Sequence, residues 1–209
     1  MTDRRLMILG TVAALALLIG GFMWMRGGPS DPFQGCRTSV VAGGTQALGG
    51  PFVLTDETGA RVTDAQVFDR PTIFYMGYTF CPDVCPLDAA RNVAAVDLLK
   101  GRGLDVKPIF MSVDPARDTP ERLRDFTDGL HPDLVGLTGT VKEVTAVSKS
   151  WRGYFKLNDE TDKKNYLVDH TTQSYLVLPG HGTVEFFGRD VSPERMADTV
   201  ACFVNAAKS

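Results

Sequence analysis

A run of seven residues rich in aromatic and β-branched side chains, Thr72–Tyr78 (TIFYMGY), leads after two further residues into Cys81-Pro82-Asp83-Val84-Cys85-Pro86. The run reads as a buried central strand. Leu87–Lys100 beyond it reads as a helix, with Leu87, Ala90, Ala94 and Leu98 on one face and Gly101 and Gly103 ending it. Two thiols therefore stand between a strand end and a helix start. Helix N-termini favour the thiolate, through unpaired N–H groups and the dipole, and both disulfide exchange and metal binding require a thiolate. Proline disfavours the α region at the residue before it, so Cys85 is expected as a cap and Cys81 in an ordered loop. Thiols four apart on such a loop can close a disulfide or bind one soft metal ion.

The remaining body alternates strand and helix. Phe52–Thr55 and Arg61–Thr63 flank Glu57-Thr58-Gly59 as a small hairpin, and Val106–Val113 is a second strand. Asp118-Thr119-Pro120 starts a helix that Gly129 stops. Leu134–Thr138 is a short strand, and Val141, Val144, Val147 and Trp151 trace the inner stripe of the next helix. Tyr175–Leu178 and Val184–Phe187 flank the turn Pro179-Gly180-His181-Gly182, and Ser192-Pro193-Glu194 caps a last helix carrying Met196, Val200 and Phe203. Strand–helix alternation followed by a hairpin and a helix implies an α/β domain with a mixed sheet covered on both faces.

The N-terminus bears on the compartment. Leu6–Met25 holds 20 residues without a charge, enough at about 1.5 Å per residue to cross a bilayer core of roughly 30 Å. Arg4 and Arg5 precede it, so the N-terminus is expected to stay cytoplasmic and everything after Arg26 to be exported. A cleaved signal peptide is the competing reading, but the run exceeds an ordinary h-region and no A-x-A-like site follows Met25. Residues 1–26 are thus expected as a membrane anchor, 27–51 as a Gly- and Pro-rich linker, and 52–209 as the folded domain. Of 22 basic and 25 acidic residues, only Arg4, Arg5, Arg26 and Asp3 precede residue 27; the rest hold 19 and 24, a net of −5. A mildly acidic body without a Lys/Arg run argues against nucleic acid as a partner.

Four cysteines in an oxidising compartment allow two structural disulfides. The strand–helix setting of Cys81 and Cys85 argues against that for this pair. Cys36 and Cys202 remain, and parity and compartment predict a disulfide tying the linker to the last helix. Two thiolates leave Cu(I) under-coordinated, so a third ligand is sought among three histidines. His131, before a proline, and His181, at a hairpin tip, read as surface residues. His170 lies in Asp169-His170-Thr171-Thr172, directly before an apolar strand, where it is equally a capped or solvated side chain or a ligand. Two cysteines and one histidine suit Cu(I) and also accept zinc.

Three segments together carry a resemblance. Tyr78-Thr79-Phe80-Cys81-Pro82-Asp83-Val84-Cys85-Pro86, Ser112-Val113-Asp114-Pro115-Ala116-Arg117-Asp118-Thr119-Pro120-Glu121 and Val168-Asp169-His170-Thr171-Thr172-Gln173-Ser174-Tyr175-Leu176 resemble the Sco/SenC family in order and spacing, over roughly residues 50–205. The resemblance implies a thioredoxin-like fold on a single N-terminal membrane helix. It implies copper, Cu(I) and also Cu(II), held by Cys81, Cys85 and His170. It further implies delivery of copper to the CuA site in subunit II of cytochrome c oxidase, or reduction of that site's thiols. The soluble domain would then face the periplasm from a bacterial-type inner membrane, or the mitochondrial intermembrane space, and would meet a thiol reductant or copper donor there.

The alternative class is a thiol–disulfide oxidoreductase with Cys81 and Cys85 as its redox-active pair. Their three-residue spacing departs from C-x-x-C, and no proline lies between Asn165 and Leu178, where thioredoxins carry one before the equivalent strand. A metallochaperone is therefore favoured over a turnover enzyme. A thiol peroxidase is disfavoured because Thr79 stands two, not three, residues before Cys81. Asp169 could orient His170 or be a plain loop aspartate; Asp114 could approach the site from its strand end; Met76 and Met111 read as core; Tyr78 and Phe80 could shield the site or form part of a docking surface.

Overall fold

The computed structural model describes residues 15, 17–21, 31–39, 44–159, 161–162 and 164–208. The chain divides into two compact units, Met1–Gly35 and Cys36–Ser209. In the first, Leu15 and residues 17–21 are helical, and Leu15, Leu17, Leu18 and Ile19 are exposed. Most of the expected span Leu6–Met25 lies outside the described residues; among those described, no helix is long and apolar enough to cross a membrane.

In the second unit, the first strands form the expected hairpin, β1 (Val53–Asp56) and β2 (Arg61–Thr63), followed by a short helix α1 (Asp64–Val67). Then follow β3 (Thr72–Gly77), α2 (Val84–Gly101), β4 (Lys107–Ser112), α3 (Pro120–Leu130), β5 (Val135–Thr138) and α4 (Val141–Ser150). A separate pair, β6 (Phe155–Leu157) and β7 (Val168–His170), precedes β8 (Ser174–Leu178), β9 (Gly182–Phe187) and α5 (Pro193–Ala206). The main sheet has the order β2-β1-β5-β4-β3-β8-β9. β3, β4 and β5 run parallel, as their helical crossovers require, while β8 and β9 are antiparallel additions. The succession β3-α2-β4 and β8-β9-α5, with sheet order β4-β3-β8-β9, is the expected thioredoxin-like arrangement.

β3 is buried along its whole length because both sheet faces are covered. Alternation sends Phe74 to a cluster with Phe68 and Trp151, with Phe52 alongside, on one face, and Tyr75 toward α2 on the other. Met76 and Met111 are core residues, as expected.

Two readings of α2 are corrected. The helix begins at Val84 with Asp83 as its N-cap, so Cys85 is a helical residue and not a cap. First-turn N–H groups have no partner within a helix, so Pro86 removes no hydrogen bond there. The stripe Leu87, Ala90, Ala94 and Leu98 is the outer one: Leu87 is 59% and Leu98 37% exposed. The buried face holds Cys85, Asp88, Ala89, Asn92, Val93, Val96 and Leu99. Polar residues interrupt that face, and an apolar-periodicity argument passes over it. Val141 is likewise exposed, although Val144, Val147 and Trp151 are buried. Gly129 lies inside α3, which ends at Leu130, and the cap of α3 is Thr119.

Cys36 and Cys202 are joined in a disulfide, with their Cα atoms 5.6 Å apart. The residues after Cys36 lie along β9, the edge strand. Arg37 Nη1 donates to the Val184 carbonyl (2.9 Å), Thr38 N donates to Glu185 Oε2 (2.8 Å), and the Ser39 hydroxyl donates to Glu185 Oε1. Glu185 is wholly buried under this strap, and Thr45–Ala47 form a single helical turn beyond it.

Candidate metal centre

β3 ends at Gly77, and the chain turns through a short loop into α2. Cys81 in that loop is 8% exposed, and Cys85 in the first turn of α2 is fully buried. The free first-turn N–H of Cys85 donates to Cys81 Sγ at 3.4 Å, which draws the loop onto the helix end. His170 is the last residue of β7, opposite Phe155 of β6, and not the loop residue expected. β7 is tied to the end of β3 because Val168 N donates to the Tyr78 hydroxyl (3.2 Å). The ligand atoms of Cys81, Cys85 and His170 all lie within 4.8 Å of one another.

The His170 ring turns one nitrogen to the backbone and the other to the thiols. Nδ1 lies 2.9 Å from the Thr171 carbonyl, which can only accept, so Nδ1 carries the proton. Nε2 is left with its lone pair toward the thiols, 3.2 Å from Cys85 Sγ. Burial holds the ring's pKa below the ordinary histidine value and keeps the imidazole neutral. The two thiols are not equivalent. Burial opposes ionisation of Cys81, but the N–H groups of Asp83, Cys85 and Val84 and the Cys85 thiol outweigh it and lower its pKa. Burial dominates at Cys85 and pushes its thiol up.

Aromatic residues wall the cluster. The Tyr78 ring stands edge-on to His170 at 5.7 Å and 89°, and Tyr75 does so at 6.3 Å and 82°. Gly77 is required here: a Cβ on it would sit 2.8 Å from Tyr75 Cε1 and 3.0 Å from Cys85 Sγ. At the rim, Arg117 stacks over Tyr166 (3.5 Å) and Phe80 (4.5 Å), and Arg122 lies over Phe80 (3.9 Å). Phe80 is partly exposed and covers this side.

Asp114 does not join the ligand cluster. It accepts from Arg117 Nε (2.5 Å) and the Tyr166 hydroxyl (2.6 Å), and so holds the rim. Asp169 does not orient the ring; it is exposed and accepts from Asn158 Nδ2 (3.2 Å). His131 pairs with Asp97 (3.1 Å) and His181 sits at the β8–β9 turn; neither belongs to the cluster. Sequence reasoning missed Asp118, whose wholly buried carboxylate accepts from Thr79 N (3.0 Å), Thr79 Oγ1 (2.6 Å) and Ser112 Oγ (2.5 Å). It pins the cysteine loop to the end of β4. It also missed Asp88, which accepts from the Tyr75 hydroxyl at 3.1 Å. An aspartate on the inner side of a helix was the available signal for the latter.

Residues 41–205 match the family model described as SCO1/SenC. The chain belongs to the SCO1/SenC family. Among SCO1/SenC relatives, it is 48% identical over 180 residues to Protein SenC of Rhodobacter capsulatus, covering 86% of this chain and 80% of that protein. It is 40% identical over 158 residues to the mitochondrial SCO1 homolog 1 of Arabidopsis thaliana, covering 75% of this chain but only 47% of that longer protein. A crystal structure of Arabidopsis thaliana ScoI with copper bound superposes with a TM-score of 0.71 at 39% identity, covering 78% of this chain and 99% of that one. Two soft sulfurs and one imidazole in this SCO1/SenC chain make a donor set suited to copper.

Proposed function

We propose that this chain is a membrane-anchored copper chaperone that assists assembly of the CuA site in subunit II of cytochrome c oxidase. The observation that carries the reading is the three-donor cluster, with His170 Nε2 turned onto Cys85 Sγ by the Thr171 carbonyl. Copper is the cargo. Cys81, Cys85 and His170 hold it, and binding Cu(I) releases the proton of each thiol that is not already ionised. A three-coordinate ion at a loop beside a partly exposed rim passes on by ligand exchange, as thiolates and imidazoles of an acceptor replace these donors one at a time.

Residues 1–26 serve as the anchor, 27–51 as the linker and 52–209 as the copper-binding domain, on the periplasmic side of an inner membrane or its mitochondrial equivalent. The uncharged run Leu6–Met25 behind Arg4 and Arg5 supports this, as do the exposed apolar side chains of Leu15 and Leu17–Ile19. A periplasmic thiol reductant or copper donor completes the set of partners.

The second reading, reduction of the oxidase's cysteines, is favoured by the inequality of the thiols. Cys81 as thiolate would attack a substrate disulfide, expel one substrate thiolate and form a mixed disulfide. Cys85 would then attack Cys81 Sγ and release the second substrate thiol, leaving a Cys81–Cys85 disulfide for the reductant to reopen.

An anaerobic Cu(I) competition titration with Cys81 and Cys85 reduced separates the two. One tight copper per chain, weakened at least tenfold (about 1.4 kcal/mol) in His170→Ala, is expected for the chaperone. Weak binding, or binding indifferent to His170, moves the assignment to the oxidoreductase.

A further inference from the structure

Two of the three donors come from elements that share no backbone hydrogen bonds: Cys85 from α2, and His170 from the end of β7, four residues before Ser174 of β8. A buried polar array joins α2 to the start of β8, the segment that follows β7, and to β3 and the residue after β9. Arg91 Nη2 donates to Ser174 Oγ (2.8 Å), Ser174 Oγ donates to Asn92 Oδ1 (3.0 Å), and Arg91 Nη1 donates to the Gly188 carbonyl (2.8 Å). One turn nearer the site, Asp88 accepts from the Tyr75 hydroxyl (3.1 Å) and pairs with Arg189 (3.3 Å). Asp88, Asn92 and Ser174 are all at most 3% exposed, and Arg91 is 9% exposed. The Tyr75 ring itself stands between β3 and both donors, edge-on to His170.

Burying this many polar groups costs stability relative to a well-packed apolar filling of similar volume. In return, a fully bonded network fixes one geometry where apolar packing tolerates sliding. None of its members is a candidate ligand; Asp88, Arg91 and Asn92 lie on the inner side of the helix that carries Cys85, and Tyr75 and Ser174 meet them from β3 and β8. We propose that the Tyr75–Asp88 and Arg91–Asn92–Ser174 pairings are a positioning brace that holds His170 Nε2 at ligand distance from Cys85 Sγ. The brace rests on the copper reading of the cluster and adds to it: these residues touch no metal, and Arg91, Asn92 and Ser174 act through His170, while the Tyr75 hydroxyl also meets the Cys85 thiol. Loosening them lets the His170-bearing segment drift from α2 and leaves copper on two sulfurs.

The test is a double-mutant cycle on Cu(I) affinity in the full chain. Asn92→Ala with Ser174→Ala removes the α2–β8 half of the brace and leaves the Tyr75 hydroxyl beside Cys85 in place. The expected result is at least fivefold weaker Cu(I) binding with His170 present and less than twofold weaker in the His170→Ala background. X-ray absorption of the copper-loaded variant should show loss of the single nitrogen neighbour with both sulfurs kept. Equal weakening in the two backgrounds, or a retained nitrogen neighbour with unchanged affinity, overturns the brace while leaving a His170-dependent wild-type site intact. If His170→Ala itself changes nothing, it is the copper reading that fails. Should the double variant not fold, Ser174→Ala alone carries the same cycle.

Discussion

Cys85 N donates to Cys81 Sγ at 3.4 Å, so the buried thiol's own backbone stabilises the charge of the outer one. That asymmetry favours the thiolate at Cys81 over Cys85. In the reduced, metal-free protein near neutral pH, Cys81 should be alkylated by iodoacetamide at least about tenfold faster than Cys85, since thiolate fraction and access both favour it. Time-resolved peptide mass mapping measures this directly. Faster modification of Cys85 would reverse the roles assigned to the pair.

Gly77→Ala places a methyl group 2.8 Å from Tyr75 Cε1 and 3.0 Å from both Cys85 Sγ and Phe110 Cε2. Overpacking of a filled core costs about 1–3 kcal/mol. A urea midpoint lowered by that amount is expected, with weaker Cu(I) binding because one of the displaced atoms belongs to the proposed ligand set. A variant as stable as the wild type would mean that α2 can shift outward at no cost.

Replacing Cys36 and Cys202 together by serine opens a covalent link between residues 166 apart in sequence. The expected loss is about 2–5 kcal/mol of stability, read from chemical denaturation under non-reducing conditions. Cu(I) stoichiometry should stay the same, because neither sulfur belongs to the ligand cluster.

Glu143 receives Arg61 Nη2 at 2.5 Å and closes the N-terminal cap of α4. The Arg61 hydrogen bond, followed by the Thr140 N–H, holds its pKa down to about 2 against an ordinary 4.5. A depressed carboxylate stabilises the fold fully above the unfolded pKa and loses that contribution as pH falls. The loss therefore runs from about pH 4.5 to 2. With the side chain 30% exposed, solvent screening limits the ion pair to about 1 kcal/mol. Denaturant midpoints across that window should fall in the wild type by this amount relative to Glu143→Gln, and parallel curves would show that the pair contributes nothing.

The sequence made the sheet legible where burial is simple. The cores of β3 and β4 are continuous apolar runs, proline opens α3 and α5, and Pro179-Gly180 marks the β8–β9 turn. It misled where polar side chains occupy the inside: Asp88, Arg91 and Asn92 interrupt the buried face of α2, so the apolar stripe read from the sequence was the outward one. Cys81 and Cys85 were legible from their place between strand and helix. His170 was not, because β6 and β7 are three residues each and give no alternation long enough to read. Its part in the cluster came from the resemblance of three motifs, and its ring orientation from the Thr171 carbonyl, a backbone partner that no side-chain pattern announces.

The bond between Cys36 and Cys202 also depends on what the other two sulfurs do. Along the chain Cys81 and Cys85 are the nearest thiols to Cys36, whereas Cys202 stands 166 residues away. In the folded domain Cys85 is fully buried and Cys81 only 8% exposed, so neither is open to the thiol exchange that would pair it with Cys36. The burial that encloses the thiol pair thus also protects the pairing of the structural disulfide.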